Sequence, residues 1–352
     1  MMGLMELLKR VVEDEASDLF LVAGGPACEK IDGHFCRLNE ERLMPGDTEH
    51  LIRAVYETAK RPMEHYLAAG DDDFSFSVPG LARFRVNAYR QRGSMAAVIR
   101  VVSFDIPDWR DLRIPEQVME LADLTHGMIL VTGTAGSGKS TTQACMIDRI
   151  NKTRGCHIIT LEDPIEYLHR NQKSIISQRE ISIDTKDYLS ALRACLRQAP
   201  DVILLGEMRD AETIQTAITA AETGHTVIAT LHTRGTVNSI DRIIDSFPSV
   251  QQAQVRVQLA SVLCAAVSQQ MLPDVDGGII PACEIMRVNS AIRSMIRDNK
   301  THQINNAIAA GGGEGMISMD QSIQALYRAG KITAETAQEF ADNPEQMRRA
   351  LG

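Results

Sequence analysis

The fold of this chain is indicated first by residues 127–150, which read GMILVTGTAGSGKSTTQACMIDRI. The apolar run MILVT predicts a buried strand, and the run TTQACMIDRI has the composition of a helix. Between them, residues 133–140 match the pattern G-x-x-x-x-G-K-[ST], which binds phosphate when it joins a strand to a helix. A predicted strand precedes this segment and a predicted helix follows it, so the sequence predicts that this chain binds a nucleotide.

The residue types of this loop explain the chemistry expected of it. Glycine lets the backbone approach phosphate oxygens closely, and the N-terminus of the following helix attracts the same anion. Lys139 is expected to reach the β and γ phosphates of ATP, and the Ser140 hydroxyl to ligate Mg²⁺. The predicted nucleotide-binding residues are Gly133, Thr134, Ala135, Gly136, Ser137, Gly138, Lys139, Ser140 and Thr141.

A second apolar run supplies the candidate catalytic base. Hydrolysis of a bound nucleotide needs a carboxylate at a neighbouring strand end, where it can orient or deprotonate water. In DVILLGEMRD, at 201–210, Glu207 follows the predicted strand and is the candidate base. Gly206 stands where such a strand usually carries a metal-supporting Asp, so another group must support the metal.

Further polar candidates follow two other predicted strands. Glu162 ends the strand in IITLEDPIEYLH and is the candidate for holding a Mg²⁺-bound or attacking water, directly or through that water. Asp163 and Glu166 either assist there or only cap and solvate a loop. His232 follows the strand TVIATL toward the edge expected to hold Lys139 and Glu207, so it is a candidate sensor of the γ-phosphate. His225, at the other end of that strand, stays ambiguous.

The whole chain has the size of about two domains. It has 352 residues, 44% of them hydrophobic, and a net charge of −9. The acidic balance and an aromatic content of 4% argue against nucleic-acid binding. The absence of an apolar run of about 18 residues argues against membrane insertion, and a cytoplasmic location is expected. The seven scattered cysteines form no C-x-x-C pair, so neither disulfides nor a zinc site are predicted.

A change in the pattern of apolar residues along the chain predicts its domain organisation. Residues 1–105 alternate short strand-like and helical runs, which indicates a small α+β domain. Residues 106–116, with two prolines, read as a linker, and residues 117–352 as an α/β domain that ends in helices. Within the first domain the expected elements are helices at 5–15 and 47–59 and strands at 18–22, 74–78, 81–89 and 95–102. The expected strands of the second are GMILVTG, CHIITLE, DVILLGE, HTVIATL and 279–286, the first four being typical of a buried parallel sheet.

Four motifs of the second domain resemble those of the hexameric secretion ATPase family. They are GTAGSGKST at 133–141 for its Walker A motif, IITLEDPIEYLH at 158–169 for its Asp box, RQAPDVILLGEMRDAET at 197–213 for its Walker B motif, and TAAETGHTVIATLHT at 219–233 for its His box. Glycine in place of the Walker B Asp belongs to that family's pattern. The resemblance implies a RecA-like ATPase domain preceded by a PAS-like domain, a ring of six copies, and ATP with Mg²⁺.

Within the family, the chain resembles the branch of type IV pilus retraction ATPases. The stretches ASDLFLVAGGPACEKIDG at 16–33, GLARFRVNAYRQRG at 80–93 and AIRSMIRD at 291–298 carry this resemblance, and the four-cysteine insertion usual in the assembly and secretion branches is missing. The chain departs from the branch at Thr134 and Ala135 in the phosphate loop, at Phe20, and at Ser294, Met295 and Asp298 in the retraction-linked helix. The changes in the loop leave every phosphate-binding position intact.

The resemblance also implies that arginines of the N-terminal domain reach the phosphates of a bound nucleotide. Arg85 and Arg100 keep the family's fifteen-residue separation and are assigned this role. A guanidinium suits it because its fixed fork neutralises charge spread over phosphoryl oxygens. Arg83, Arg90 and Arg92 alternate nearby and fit a solvated or interface strand face better.

The function implied by the resemblance is that of a motor for pilus retraction and twitching motility, with nucleotide-dependent domain rotation. Its expected partner is the inner-membrane platform protein of the pilus machine. One alternative is an accessory subunit that binds ATP, hydrolyses little, and joins the ring of a paralogous retraction ATPase; the presence of Glu162, Glu207 and His232 weighs against it. Another is a RecA-like nucleic-acid motor, because a fold does not fix a function.

Overall fold

The structure is a computed structural model that describes residues 2–31, 33–102 and 105–351. Asp32, in one of the quoted stretches, and the chain ends Met1 and Gly352 lie outside the described residues. The chain forms two compact units: Met1–Asp105 with Glu166–Leu168, and Ile106–Ile165 with His169–Gly352.

The first unit contains a six-stranded antiparallel sheet with helices. The strand order is β3-β2-β1-β6-β5-β4. Its elements are α1 Leu4–Glu13, β1 Asp18–Leu21, β2 Cys28–Ile31, β3 His34–Arg37, α2 Pro45–Ala59, α3 Glu64–Ala69, β4 Asp71–Val78, β5 Ala82–Gln91 and β6 Ser94–Val102. Helix α1 buries Leu4, Leu7, Leu8 and Val11, the spacing of a helix with one apolar face.

The predicted elements of this unit are present, and the sequence missed β2, β3 and α3, which are only four to six residues long. The acidic run of three aspartates lies inside β4 and not before it. Successive side chains of a strand point to opposite faces. Asp72 is therefore buried, where Arg61 and Tyr56 bind it, while Asp71 and Asp73 remain exposed.

The second unit is built on a seven-stranded sheet of order β13-β12-β7-β11-β10-β8-β9. Its strands are β7 Gly127–Thr132, β8 His157–Glu162, β9 Ile175–Glu180, β10 Val202–Leu205, β11 Thr226–Leu231, β12 Leu263–Pro273 and β13 Ile279–Arg287. The four apolar runs are strands as predicted. These four strands pair in parallel, as expected. Strands β9 and β12 were missed, and β12 pairs with β13 in the antiparallel direction.

Helices cover this sheet, and its residues alternate between two apolar cores. Met128 and Leu130 join one core, while Ile129 and Val131 join the other. The helices are α4 Glu116–Glu120, α5 Lys139–Thr153, α6 Tyr188–Cys195, α7 Ala211–Glu222, α8 Thr236–Asp245, α9 Ser249–Val262, α10 Ser290–Arg297, α11 Ile304–Ala310, α12 Met319–Arg328, α13 Ala334–Phe340 and α14 Pro344–Leu351. Among the described helices, none is long and apolar enough to cross a membrane.

Candidate active site

The candidate residues of the second unit converge because four parallel strands end at one edge of the sheet. Strand β7 leads into the phosphate loop, β8 ends at Glu162, and β10 and β11 lead into Glu207 and His232. The register places Thr132 beside Leu231 and Leu205 beside Leu161. The sheet thus brings three separate polar segments to the end of the strand that carries the loop.

The backbone of the phosphate loop requires glycine. Gly133, Gly136 and Gly138 all have positive φ values, and Gly138 is the N-cap of α5. A Cβ atom on Gly133 would lie 2.4 Å from the carbonyl oxygen of Gln269, which is closer than any side chain tolerates. The loop is therefore held in a shape that only glycine adopts without strain.

The side chains of the loop suit a phosphate group. Lys139 donates hydrogen bonds from Nζ to the carbonyl oxygens of Gly133 and Thr134, at 3.0 and 2.8 Å, so its ammonium lies over the loop. The Oγ atom of Ser137 is buried and has no hydrogen-bond partner in the described parts of the chain. A cradle of glycines with a lysine folded over it fits a triphosphate. Ser140, in the first turn of α5, is partly exposed and suits a Mg²⁺ ligand.

Glu207 lies between two basic side chains. Its Oε2 accepts a 2.6 Å hydrogen bond from Nε of Arg209, and its Oε1 lies 3.5 Å from Nε2 of His232. The hydrogen bond with Glu207 raises the pKa of Arg209, so this guanidinium stays charged. The Glu207 side chain is only 17% exposed. The arrangement holds one carboxylate in a fixed orientation at the strand edge.

Glu162 is fixed by neighbours on its own strand and on β9. Its Oε1 accepts hydrogen bonds from Thr160 Oγ1, at 2.5 Å, and from Gln178 Nε2, at 3.2 Å. This network holds the carboxylate at the end of β8. Asp163 follows it directly, whereas Glu166 belongs to the segment that clusters with the first unit.

His225 lies at the start of β11, at the opposite edge of the sheet from the phosphate loop. Its Nδ1 lies 2.8 Å from the carbonyl oxygen of Ala220 and 3.1 Å from the hydroxyl of Thr223. These contacts connect the end of α7 to the start of β11. The position supports a structural role for His225 and separates it from His232.

Arg85 and Arg100 lie in the first unit, directly opposite each other on β5 and β6. Arg85 binds Asp73 with 3.1 and 2.7 Å hydrogen bonds, and Arg100 binds the buried Asp18 at 2.8 Å. Two like charges in register repel each other, and the two carboxylates offset that repulsion. Both guanidinium groups remain partly exposed, at 37% and 63%. Their assignment to a bound phosphate stays a prediction.

Comparison with known proteins shows the family. A model of the type II/IV secretion system protein family matches residues 2–351. The chain belongs to this family. It is 43% identical over 347 residues to the type IV pilus retractation ATPase PilT of Pseudomonas aeruginosa, covering 98% of this chain and 100% of PilT. It is 37% identical to the type IV pilus ATPase PilU of the same organism, covering 97% and 90% of the two chains.

A solved structure confirms the fold of this family member. The crystal structure of the pilus retraction motor PilT with bound ADP has a TM-score of 0.90 and 44% identity, and the match covers 99% of this chain and 100% of the other. The resemblance identified from the sequence is confirmed, as is a RecA-like α/β domain preceded by a smaller α+β domain.

The structure of this secretion family protein adds residues that the sequence did not indicate. A Cβ atom on Gly206 would lie 2.9 Å from the Tyr188 hydroxyl and 3.2 Å from the carbonyl oxygen of Leu161. The Tyr188 hydroxyl thus lies close to the space in which a Walker B side chain would begin. Burial, with Asp163 and Glu207 nearby, raises the pKa of Tyr188, so its hydroxyl stays protonated. Tyr188 lies on helix α6, and no local motif of the sequence marks it. Arg209 follows the candidate base Glu207 by two residues, and this proximity could have indicated it.

Proposed function

We propose that this chain hydrolyses ATP, and that rings of six copies use this hydrolysis to retract a type IV pilus. The observation that carries the proposal is the placement of Glu207 beside His232, at the strand edge to which the phosphate loop belongs. The 43% identity with the retraction ATPase PilT, which extends over 98% of this chain, supports the same function.

In the proposed site, residues 133–141 bind the phosphates through backbone N–H groups. Lys139 exchanges its two loop carbonyls for phosphate oxygens, because an ammonium gains more from an anion than from neutral acceptors. Bound Mg²⁺, held by Ser140 and by water on Glu162, would neutralise phosphate charge. Thr160 and Gln178 keep the Glu162 carboxylate ready for that water.

Glu207 polarises the attacking water, and the proton of that water moves toward its carboxylate. Arg209 holds this carboxylate in place through a 2.6 Å hydrogen bond. His232 touches the same carboxylate and reports the presence of the γ-phosphate. Loss of that phosphate therefore changes the hydrogen bonding of the loop that follows β11.

The proposed moving parts are an N-terminal part, 1–105, and an ATPase part, 117–352, which a linker, 106–116, joins. Arg85 and Arg100 release Asp73 and Asp18 when they bind phosphate oxygens, because phosphate carries more charge than a carboxylate. This change of partner is proposed to rotate the N-terminal part relative to the ATPase part. The rotation is then transmitted to the inner-membrane platform protein of the pilus machine.

The test is Mg²⁺-dependent ATP hydrolysis across protein concentration, with mass measured by light scattering at each point. We expect the rate per chain to rise as hexamers form and to fall at least about 100-fold in Glu207→Gln, which retains ATP binding. Glu212→Gln, an exposed glutamate on α7, is the matched control and keeps the rate. Hydrolysis by monomers would contradict the ring. An assembled hexamer that binds ATP without turnover would indicate an accessory subunit, and stimulation by DNA a nucleic-acid motor.

A further inference from the structure

Strand β12 carries three consecutive polar residues through the interior of the second unit. Ser268 and Gln269 are each 1% exposed and Gln270 is 8% exposed, while Val267 and Leu272 beside them are fully buried. Buried polar side chains are costly unless they form hydrogen bonds. This polar segment, Ser268 to Gln270, therefore needs a reason to be there.

Two of the three residues hold the loop that follows His232. The Oγ atom of Ser268 accepts a 2.8 Å hydrogen bond from the backbone N–H of Gly235, and Oε1 of Gln270 accepts a 2.6 Å hydrogen bond from Arg234. Residues 268 and 270 share one face of the strand. That face fixes the segment that begins two residues after the proposed phosphate sensor.

Gln269 points to the other face and contacts the phosphate loop and its helix. Its Oε1 accepts a 2.8 Å hydrogen bond from the Thr142 hydroxyl in the first turn of α5. Its side-chain Nε2 atom packs so closely against Gly138 that a Cβ atom there would lie 2.9 Å away. Its backbone carbonyl oxygen packs against Gly133, at the other end of the loop. One residue of β12 thus touches both ends of the loop.

The Nε2 amide of Gln269 is buried and has no hydrogen-bond partner among the residues that the structure describes. An unpaired donor in the interior is costly, and such groups are few in native proteins. When backbone N–H groups of a loop turn inward to bind phosphate, the carbonyls of the same peptide planes turn outward. A donor packed against the outside of the loop is then placed to hold one of those carbonyls.

We propose that Gln269 is a positioning residue of the phosphate loop, which anchors α5 through Thr142 and stabilises the phosphate-binding shape of the loop through its free amide. Gln269 is too deeply buried to touch nucleotide itself. Because Ser268 and Gln270 hold the loop after His232, β12 sets the spacing between the phosphate loop and the proposed sensor. This assignment rests on the proposed function and deepens it.

The test is the affinity for ADP, measured by isothermal titration calorimetry, beside steady-state ATP hydrolysis. Gln269→Met keeps the length of the side chain and removes both hydrogen-bonding atoms. We expect the Kd for ADP to rise about tenfold, with kcat at saturating ATP within about threefold of wild type. Gln269→Glu, which keeps an acceptor for Thr142 and lacks the amide donor, is expected to lose about as much affinity.

Gln143→Met is the matched control. Gln143 lies on α5 next to Thr142, is 4% exposed, and also has an unpaired buried amide nitrogen within the described chain, but no hydrogen bond joins it to β12. This variant is expected to bind ADP within about twofold of wild type. Equal loss of affinity in the Gln143 and Gln269 variants would assign the effect to general packing and overturn the proposal.

Thr142→Val keeps the test valid if Gln269→Met does not fold, because it removes the same hydrogen bond from the helix side. We expect it to raise the Kd for ADP about threefold, and an unchanged Kd in a folded variant would overturn the proposal. Failure of the proposed function has a different signature. Wild-type protein would then bind ADP without hydrolysing ATP, and the ADP affinities of the variants would still report on the loop.

Discussion

The phosphate loop of the second unit and the arginine pair of the first both suit anions, but they achieve this by different means. The loop uses backbone N–H groups, and glycines such as Gly133 and Gly138 fix its shape. The pair, Arg85 and Arg100, consists of side chains that carboxylates already hold. A site made of backbone tolerates changes of side chain at positions other than its glycines, whereas a site made of side chains depends on the partner that each meets.

The largest effect is expected where the loop does depend on a side chain. Lys139→Ala removes the ammonium that lies over the loop, and turnover is expected to fall at least about 100-fold because one charge-stabilising donor is lost. Lys152→Ala, on the exposed last turn of the same helix, is the control and keeps its activity. Colourimetric phosphate release measures both. Full activity of Lys139→Ala would exclude the loop as the catalytic nucleotide site.

The second prediction concerns a different ion pair of the same unit, in which Arg61 binds the buried Asp72. Burial alone raises the pKa of Asp72, but hydrogen bonds from Arg61 and Tyr56 outweigh it and hold the pKa below its usual value. Asp72→Asn is expected to lower the free energy of unfolding by about 2 kcal/mol at neutral pH. Urea unfolding followed by circular dichroism measures the change.

The pH dependence of that difference follows from the direction of the shift. A carboxyl with a depressed folded-state pKa stabilises the protein above its unfolded pKa of about 4, and this stability is lost as the pH falls through the folded value. The gap between wild type and Asp72→Asn should therefore be constant near neutral pH and shrink below about pH 4. A gap that widens in acid would contradict the contribution of this ion pair.

The third prediction tests the exposed arginine pair. Arg85→Ala should leave folding intact, because an ion pair exposed by over a third contributes little to stability. In assembled rings we expect kcat to fall about tenfold, since a charge proposed to meet the phosphates is missing. Arg37→Ala, at an exposed ion pair of the same unit, is the control. If Arg85→Ala rings hydrolyse ATP at the wild-type rate, the assignment carried from the family is wrong.

The smallest effect is expected at the Walker B glycine. Gly206→Ala places a methyl group 2.9 Å from the Tyr188 hydroxyl, and Tyr188→Phe removes that contact. The double variant should recover about 0.5–1 kcal/mol of the stability lost in Gly206→Ala alone. Thermal unfolding of the four proteins gives this coupling energy. Strictly additive changes would show that the tyrosine does not limit the space at residue 206.

The fold could be predicted from the sequence where strands are apolar throughout. Strands β7, β8, β10 and β11 are recognisable because both of their faces are buried. Strand β9 was not, since its burial is mostly intermediate, and β12 was not, since Ser268, Gln269 and Gln270 interrupt its apolar character. Those three polar residues obtain partners from distant segments, namely helix α5 and the loop after β11, so no local pattern predicts a buried strand there.

The sequence by itself determined the phosphate loop and the polar residues at the strand ends, because the loop acts through local backbone geometry and parallel strands always end at one edge. Only the tertiary structure decided what surrounds them. Thr142 and Gln269 are 127 residues apart in the chain and share a buried hydrogen bond, and Tyr188 reaches Gly206 from another helix. Such contacts depend on how helices pack on the sheet, which spacing along the chain does not encode.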